Sequence, residues 1–128
     1  MLDDATRELA RGATIAAVTT LLPDGTPMTQ PLWVDTDGEV LLLNTETGRQ
    51  KYRNVRRDPR VTVTLWDPAD PYRYSEVRGR VVETVTGPEA RDHIDALSRK
   101  YTGSDYANPI GTERVILKVR PERRSGNV

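Results

Sequence analysis

Between residues 44 and 60 six basic side chains, Arg49, Lys51, Arg53, Arg56, Arg57 and Arg60, stand against two acids, Glu46 and Asp58. The whole chain is neutral, with 19 Lys+Arg and 19 Asp+Glu, so this is a local cationic patch. Thr47-Gly48-Arg49-Gln50 reads as a capping box, with Thr47 as N-cap and Gln50 reaching back. That places Arg49 and Lys51 in the first turns of a helix, where cations oppose the helix dipole. A bound phosphate removes the conflict, because the N–H groups following Thr47 and the two side chains then converge on one oxyanion. A solvated basic helix paired with acids elsewhere on the surface accounts for the same run equally well.

Two other stretches can line a site. Thr26-Pro27-Met28-Thr29-Gln30-Pro31-Leu32-Trp33-Val34 carries two prolines in an otherwise strand-like run, which leaves backbone groups open toward something other than a neighbouring strand. Gln30 offers amide donors and acceptors, and Trp33 can pack on a flat ring. Trp33 can as well be a core or subunit-contact residue. From Trp66 to Tyr74, Tyr72 and Tyr74 flank Arg73 after an Asp-Pro loop, a pattern that suits a pocket wall, a subunit contact, or both.

Catalytic side chains are scarce. Cysteine is absent and His93 is the single histidine, which removes thiolate nucleophiles, thiolate metal sites and multi-His metal sites. His93 lies one position off the apolar side of a helix, where a structural role is the ordinary one. Ser75, Ser98 and Ser104 have no His or Lys at a recognisable motif spacing, Asp35/Asp37 and Asp67/Asp70 fall in turns, and no Gly-rich dinucleotide fingerprint is present. An enzyme built from these residues leaves the reaction to a cofactor and supplies position and electrostatics.

The elements that must hold these residues follow from periodicity. Residues 3–11 form a helix capped by Asp3 or Asp4 and ended by Gly12. Strands are expected at 13–22, 28–36 (interrupted at Pro31), 39–45, 60–66, 72–86 and 112–120, with Val61, Val63 and Leu65 alternating with Thr62, Thr64 and Trp66. Pro23-Asp24-Gly25-Thr26 and Asp37-Gly38 are turns. Helices run from Thr47 to about Arg57, stopped by Pro59, and over 88–101 with Ala90, Ile94, Leu97 and Tyr101 on one side. Hairpin-joined strands with few helices predict one domain, a mainly β, six-stranded antiparallel barrel with peripheral helices. Only 36% of residues are hydrophobic and none is Phe, a lean composition that favours burial against a partner subunit. The longest apolar run, Val40 to Leu43, is far short of the roughly 18–20 residues that span a bilayer. With no basic and apolar leader after Met1, the expected compartment is the cytoplasm. Charge neutrality argues against nucleic acid as partner.

Pro23-Asp24-Gly25-Thr26-Pro27, then Gln30-Pro31-Leu32-Trp33-Val34, then the run from Leu41 through Asn44-Thr45-Glu46-Thr47-Gly48 to Val61 resembles the pyridoxamine-phosphate-oxidase-like split-barrel family. More narrowly it resembles the actinobacterial branch that uses the deazaflavin coenzyme F-420. The resemblance extends from about residue 5 to 122 and is most specific at Gly48-Arg49-x-Lys51-x-Arg53-Asn54-x-Arg56-Arg57-Asp58-Pro59. It implies a homodimer of split barrels with two cofactor sites between the subunits. Carried over by position, Arg49 and Lys51 grip the cofactor phosphate, with Asn44 and Thr45 at the preceding strand end. Met28, Thr29, Gln30, Pro31 and Trp33 run along the ring system, and Tyr72 and Tyr74 close the site from the other subunit. The short C-terminus lacks the pyridoxal-phosphate contacts of the true oxidases, so vitamin B6 chemistry is not expected. F-420 differs from FMN by a polyanionic tail beyond the phosphate, for which Arg53, Arg56 and Arg57 form a landing strip. The expected activity is hydride transfer between F-420 and a small conjugated acceptor such as an enone or quinone. An FMN-binding flavoprotein reductase or oxidase of the same fold and a non-catalytic F-420 carrier are the alternatives.

Overall fold

Val61, Val63 and Leu65 are buried while Thr62 and Thr64 between them are half-exposed, and the same two-residue period in the other strands gives the sheet one apolar face that must close on itself. The computed structural model describes residues 2–128. In chain order it contains α1 (Asp4–Arg11), β1 (Ile15–Leu21), β2 (Pro27–Thr36), β3 (Leu41–Glu46), α2 (Gln50–Arg57), β4 (Arg60–Asp67), β5 (Asp70–Val85), α3 (Pro88–Thr102) and β6 (Arg114–Gly126). The strands close into a six-stranded antiparallel barrel in the order β1-β2-β3-β6-β5-β4, as the sequence predicts. Its interior is filled by Val18, Val34, Leu43, Leu65, Val77 and Leu117 with their neighbours.

The helices divide the remaining work. Asp3 caps α1 by accepting from the Thr6 N–H at 2.7 Å, and Leu9 and Ala10 join the core where α1 packs on β2, β4 and β5. Val55 of α2 also joins the core, and Asn54 Nδ2 donates to Thr20 Oγ1 at 3.0 Å. α3 lies outside the barrel, against β2, β3 and β6, burying Ala90, Ile94 and Leu97.

The feature that positions the site is a split between β2 and β3. These strands pair only at Val34–Thr36 with Leu41–Leu43; residues 27–33 pair with β1 alone. Pro31 does not interrupt β2, contrary to the sequence reading. Val34 N–H points to the β1 side, where the Tyr101 hydroxyl accepts it at 3.0 Å. Strand alternation then turns the nitrogen of Pro31 away from β1, to the open side, where no donor is required. β6 runs past the expected end at 120. Pro121 is accommodated opposite Gly79 at a register irregularity, where a Cβ on Gly79 would stand 2.1 Å from Arg120 O.

Candidate functional site

The loop before α2 is fastened from inside. Thr47 N–H donates to Glu113 O at 2.9 Å and Arg49 N–H to Glu46 O at 3.0 Å, while Gly48 N–H donates to Thr112 Oγ1 at 3.0 Å. The expected capping box is therefore absent. The N-cap is Arg49, with no side chain bonded to the helix start, and the first turn holds no acid. Gln50 Nε2 reaches forward to Asn54 Oδ1 at 2.8 Å instead of back to Thr47. The loop N–H groups have found carbonyl and hydroxyl acceptors before the helix begins. Among the described residues the open donors at this helix start are thus the N–H groups of Gln50 and Lys51, two residues further on than the sequence reading placed them.

Beside this helix start two arginines share one carboxylate, and a lysine stands near them without one. Glu46 is buried and accepts from Thr112 N–H at 2.7 Å and Thr112 Oγ1 at 3.0 Å. Arg114 Nη1 stands 3.4 Å and Arg49 Nη2 3.9 Å from its other oxygen. The Thr112 bonds, above all, hold the Glu46 pKa below the usual carboxylate range. Lys51 is half-buried and pairs with no carboxylate among the described residues. Its pKa is pulled below the ordinary lysine value by burial first, then by Arg49 and Arg114.

Arg114, 8% exposed, connects this cluster to a cavity of about 380 Å³. The cavity lies outside the barrel wall and is lined by Ile15, Pro31, Leu32, Trp33, Asn44, Ile94, Leu97, Tyr106, Asn108 and Arg114. One face of Trp33 stacks on Tyr101 of α3 (centroids 5.2 Å apart, 9° between planes), and Tyr106 meets it edge-on at 6.3 Å. The Arg114 guanidinium sits over the Tyr106 ring at 5.2 Å. The open edge of β2 adds backbone groups: by the same alternation that turns Pro31, the N–H groups of Thr29 and Trp33 face away from β1.

The residues singled out from sequence are distributed as follows. Pro31, Trp33 and Asn44 meet at the cavity. Arg49 and Lys51 belong to the adjoining cluster. Met28, Thr29 and Gln30 continue the stretch of β2 that pairs with β1 alone, with Thr29 Oγ1 2.8 Å from Thr19 Oγ1. Asn44 is buried, and both amide hydrogens are taken by Ala90 O and His93 Nδ1. Thr45 alternates with Asn44 and is buried, off the cavity. Arg53 is exposed and ties Gly48 O and Gln50 Oε1 to the helix start, each at 2.8 Å. Tyr74 does not reach the cavity of its own chain. It is three strands from Trp33 through the pairs Trp33↔Ile15, Ile15↔Trp66 and Trp66↔Tyr74, roughly 14 Å by strand spacing. Sequence reasoning missed Arg114, Glu46, Tyr106 and Asn108. The one available signal was Arg114 in an alternating strand, where its position reads as solvent-facing.

A six-stranded barrel split along one seam, with a bare cationic helix start beside a cavity, defines a split-barrel protein. Residues 2–126 match the family described as pyridoxamine 5'-phosphate oxidase, and the chain belongs to that family. Among solved structures it is similar to a protein named F420 reductase, with 36% identity, 97% of this chain and 98% of that one covered, and a TM-score of 0.83. It is also similar to the conserved hypothetical protein Rv2991 from Mycobacterium tuberculosis (26% identity, 97% and 83% covered, TM-score 0.72). HupZ of Group A Streptococcus, at 17% identity with 97% and 92% covered and a TM-score of 0.66, shares the fold. No helix among the described residues is long and apolar enough to cross a membrane.

Proposed function

We propose that this protein binds coenzyme F-420 and works as an F-420-dependent oxidoreductase, in a homodimer with its sites between the subunits. The observation that carries the reading is Lys51: a half-buried ammonium near two guanidiniums, with no carboxylate partner among the described residues, is a costly arrangement until an anion arrives. The donor set fits a phosphate, with Arg49, Lys51, Arg114 and the N–H groups of Gln50 and Lys51 on one side of it. The run from Met28 to Trp33 would hold the ring: the N–H groups of Thr29 and Trp33 and the Gln30 amide would supply its polar contacts, and Met28 and Pro31 its apolar ones. Trp33, Tyr106, Ile94 and Leu97 give the cavity beside it a largely apolar wall. When bound, F-420 supplies a hydride that passes to an electron-poor carbon of a small conjugated acceptor such as an enone or quinone. The chain's own part is to fix the two reactants against each other.

The deazaflavin is favoured over FMN by the 36% identity to a protein named F420 reductase and by the exposed Arg53, Arg56 and Arg57, which suit a polyanionic tail. The test is titration of the purified protein with F-420, following cofactor fluorescence, with FMN in parallel. Saturable F-420 binding at micromolar protein with weaker FMN binding is expected. A protein isolated yellow with FMN and reoxidised by oxygen would overturn the choice of cofactor. Tight F-420 binding without turnover across enones and quinones would make it a carrier.

A further inference from the structure

Asn44 is held by partners of fixed polarity. Its Oδ1 receives the Nε–H of Arg114 at 2.8 Å, and a guanidinium only donates. Its Nδ2 donates to the Ala90 carbonyl at 3.1 Å, which only accepts. The amide cannot flip without setting donor against donor at one end and acceptor against acceptor at the other. Its second hydrogen therefore points at His93 Nδ1, 3.0 Å away, and that nitrogen must be an unprotonated acceptor. The proton of the neutral ring is left on Nε2, which is buried and has no partner among the described residues. A buried donor left unsatisfied is a standing cost that calls for an explanation.

From this chain of bonds we infer that His93 is a positioning residue: as a neutral imidazole it orients Asn44, and through Asn44 it fixes the Arg114 guanidinium against the anion site. The role rests on the site proposed above. It also makes the site sensitive to acid. A second proton on His93 can go only to Nδ1, where it meets the Asn44 NH₂. Asn44 must then turn its oxygen to the imidazolium and its NH₂ to Arg114, and the guanidinium loses its tether. The groups that set where this happens face the ring from every side: Lys100 and Glu89 on α3 itself, Asp35 on β2 and Arg114 on β6. Burial is the largest influence, and with Lys100 and Arg114 it outweighs the two acids, so His93 protonates below the ordinary imidazole value of 6.5.

Because His93 is the only histidine, its imidazole nitrogen signals in an NMR pH titration need no assignment. The Arg114 Nε–H signal is identified by its loss in Arg114→Lys. The expected result is an Nε2–H tautomer at neutral pH, with the Arg114 Nε–H shifting at the same midpoint as the ring. The F-420 dissociation constant should rise through that midpoint. In His93→Gln, whose carboxamide can still accept from Asn44 but does not titrate, tight binding should persist and the acid limb should vanish. His93→Leu should weaken binding at neutral pH by about three- to tenfold, as for one lost hydrogen bond. An Nδ1–H tautomer, or a ring that titrates while Arg114 Nε–H stays unmoved, overturns the relay. Arg114 Nε–H following His93 while the F-420 affinity stays flat supports the relay and refutes Arg114 as part of the cofactor site, so the two ideas fail separately.

Discussion

Lys51 shows what one residue contributes to binding at the expense of the free protein. Burial and two neighbouring guanidiniums depress its folded pKa below the unfolded value of 10.5. The unfolded chain thus binds the extra proton more tightly, and the stability of the cofactor-free protein is expected to rise with pH through the alkaline range below 10.5, as the folded form sheds that proton first. A phosphate beside the ammonium reverses the sign, favouring the charged form. Lys51→Ala should therefore weaken F-420 binding by about 1–3 kcal/mol while leaving the cofactor-free protein no less stable. Fluorescence titration and thermal unfolding of the same samples separate the two effects. Arg91→Ala, on the exposed side of α3 where the arginine pairs with Asp95 at 2.9 Å, serves as the control and should change affinity by nothing measurable. Equal losses from both would show that the cations at α2 act only as general surface charge. Arg49 and Lys51 were legible in the sequence because a cationic run conflicts with a helix start, which is a local rule. Arg114 was not, because its burial arises from pairing: it faces Glu46 across β3 and β6, a neighbour 68 positions away that no local pattern reveals.

At the scale of elements, α3 is held to the barrel by polar groups as well as by its apolar stripe. The Tyr101 hydroxyl takes the Val34 N–H at 3.0 Å and donates to the Thr14 carbonyl. It bridges β1 and β2 just beyond the last pair of their ladder, Ile15 with Trp33. Lys100 Nζ adds bonds to Ala10 O at 2.9 Å and Val34 O at 2.5 Å. Burial pushes the Tyr101 phenol up to about 12, so the hydroxyl stays a donor at any working pH. Tyr101→Phe keeps the stacking on Trp33 but strands the Val34 N–H and the Thr14 carbonyl. The expected cost is about 1–3 kcal/mol in a denaturant melt, with the ring wall of the cavity loosened in step. A loss below a few tenths of a kcal/mol would mean that water replaces the hydroxyl. The helix itself was legible in the spacing of Ala90, Ile94, Leu97 and Tyr101, and the strands in their two-residue period, since both patterns are local consequences of burial on one side. The start of α2 was misplaced because Thr47 and Gly48 have their N–H groups taken by Glu113 and Thr112, contacts made only once β6 has come home. Pro31 was half legible: the open backbone side it signals is there, where β2 parts from β3, but the expected break in the strand is not, because whether a proline breaks a strand depends on which side lacks a partner, and that is a property of the closed barrel.

The whole molecule bears on the question of a second subunit. The lean composition suggested that one chain cannot cover itself. Yet its accessible surface is 6765 Å², close to the roughly 6800 Å² typical of a monomer of this mass. The case for a dimer therefore rests on the site rather than on the core. Tyr74 stands three strands from the cavity of its own chain, and Tyr72 beside it is 81% exposed, so these tyrosines can close a site only on a second copy related by two-fold symmetry. Complementation tests this directly. In the proposed dimer Lys51→Ala would remove a group from one half of each site, and Tyr74→Ala a group from the other. Each variant alone should bind F-420 weakly. When the two are unfolded together in equal amounts and refolded, about half of the dimers are mixed, and each mixed dimer regains one site with both groups intact. Fluorescence titration should then show tight binding at about a quarter of all sites, the remainder staying weak. Refolded mixtures that bind no better than the two parents, or a protein that sediments as a single chain at the concentrations of the titration, would place every binding group within one subunit and leave Tyr74 without a part in the site.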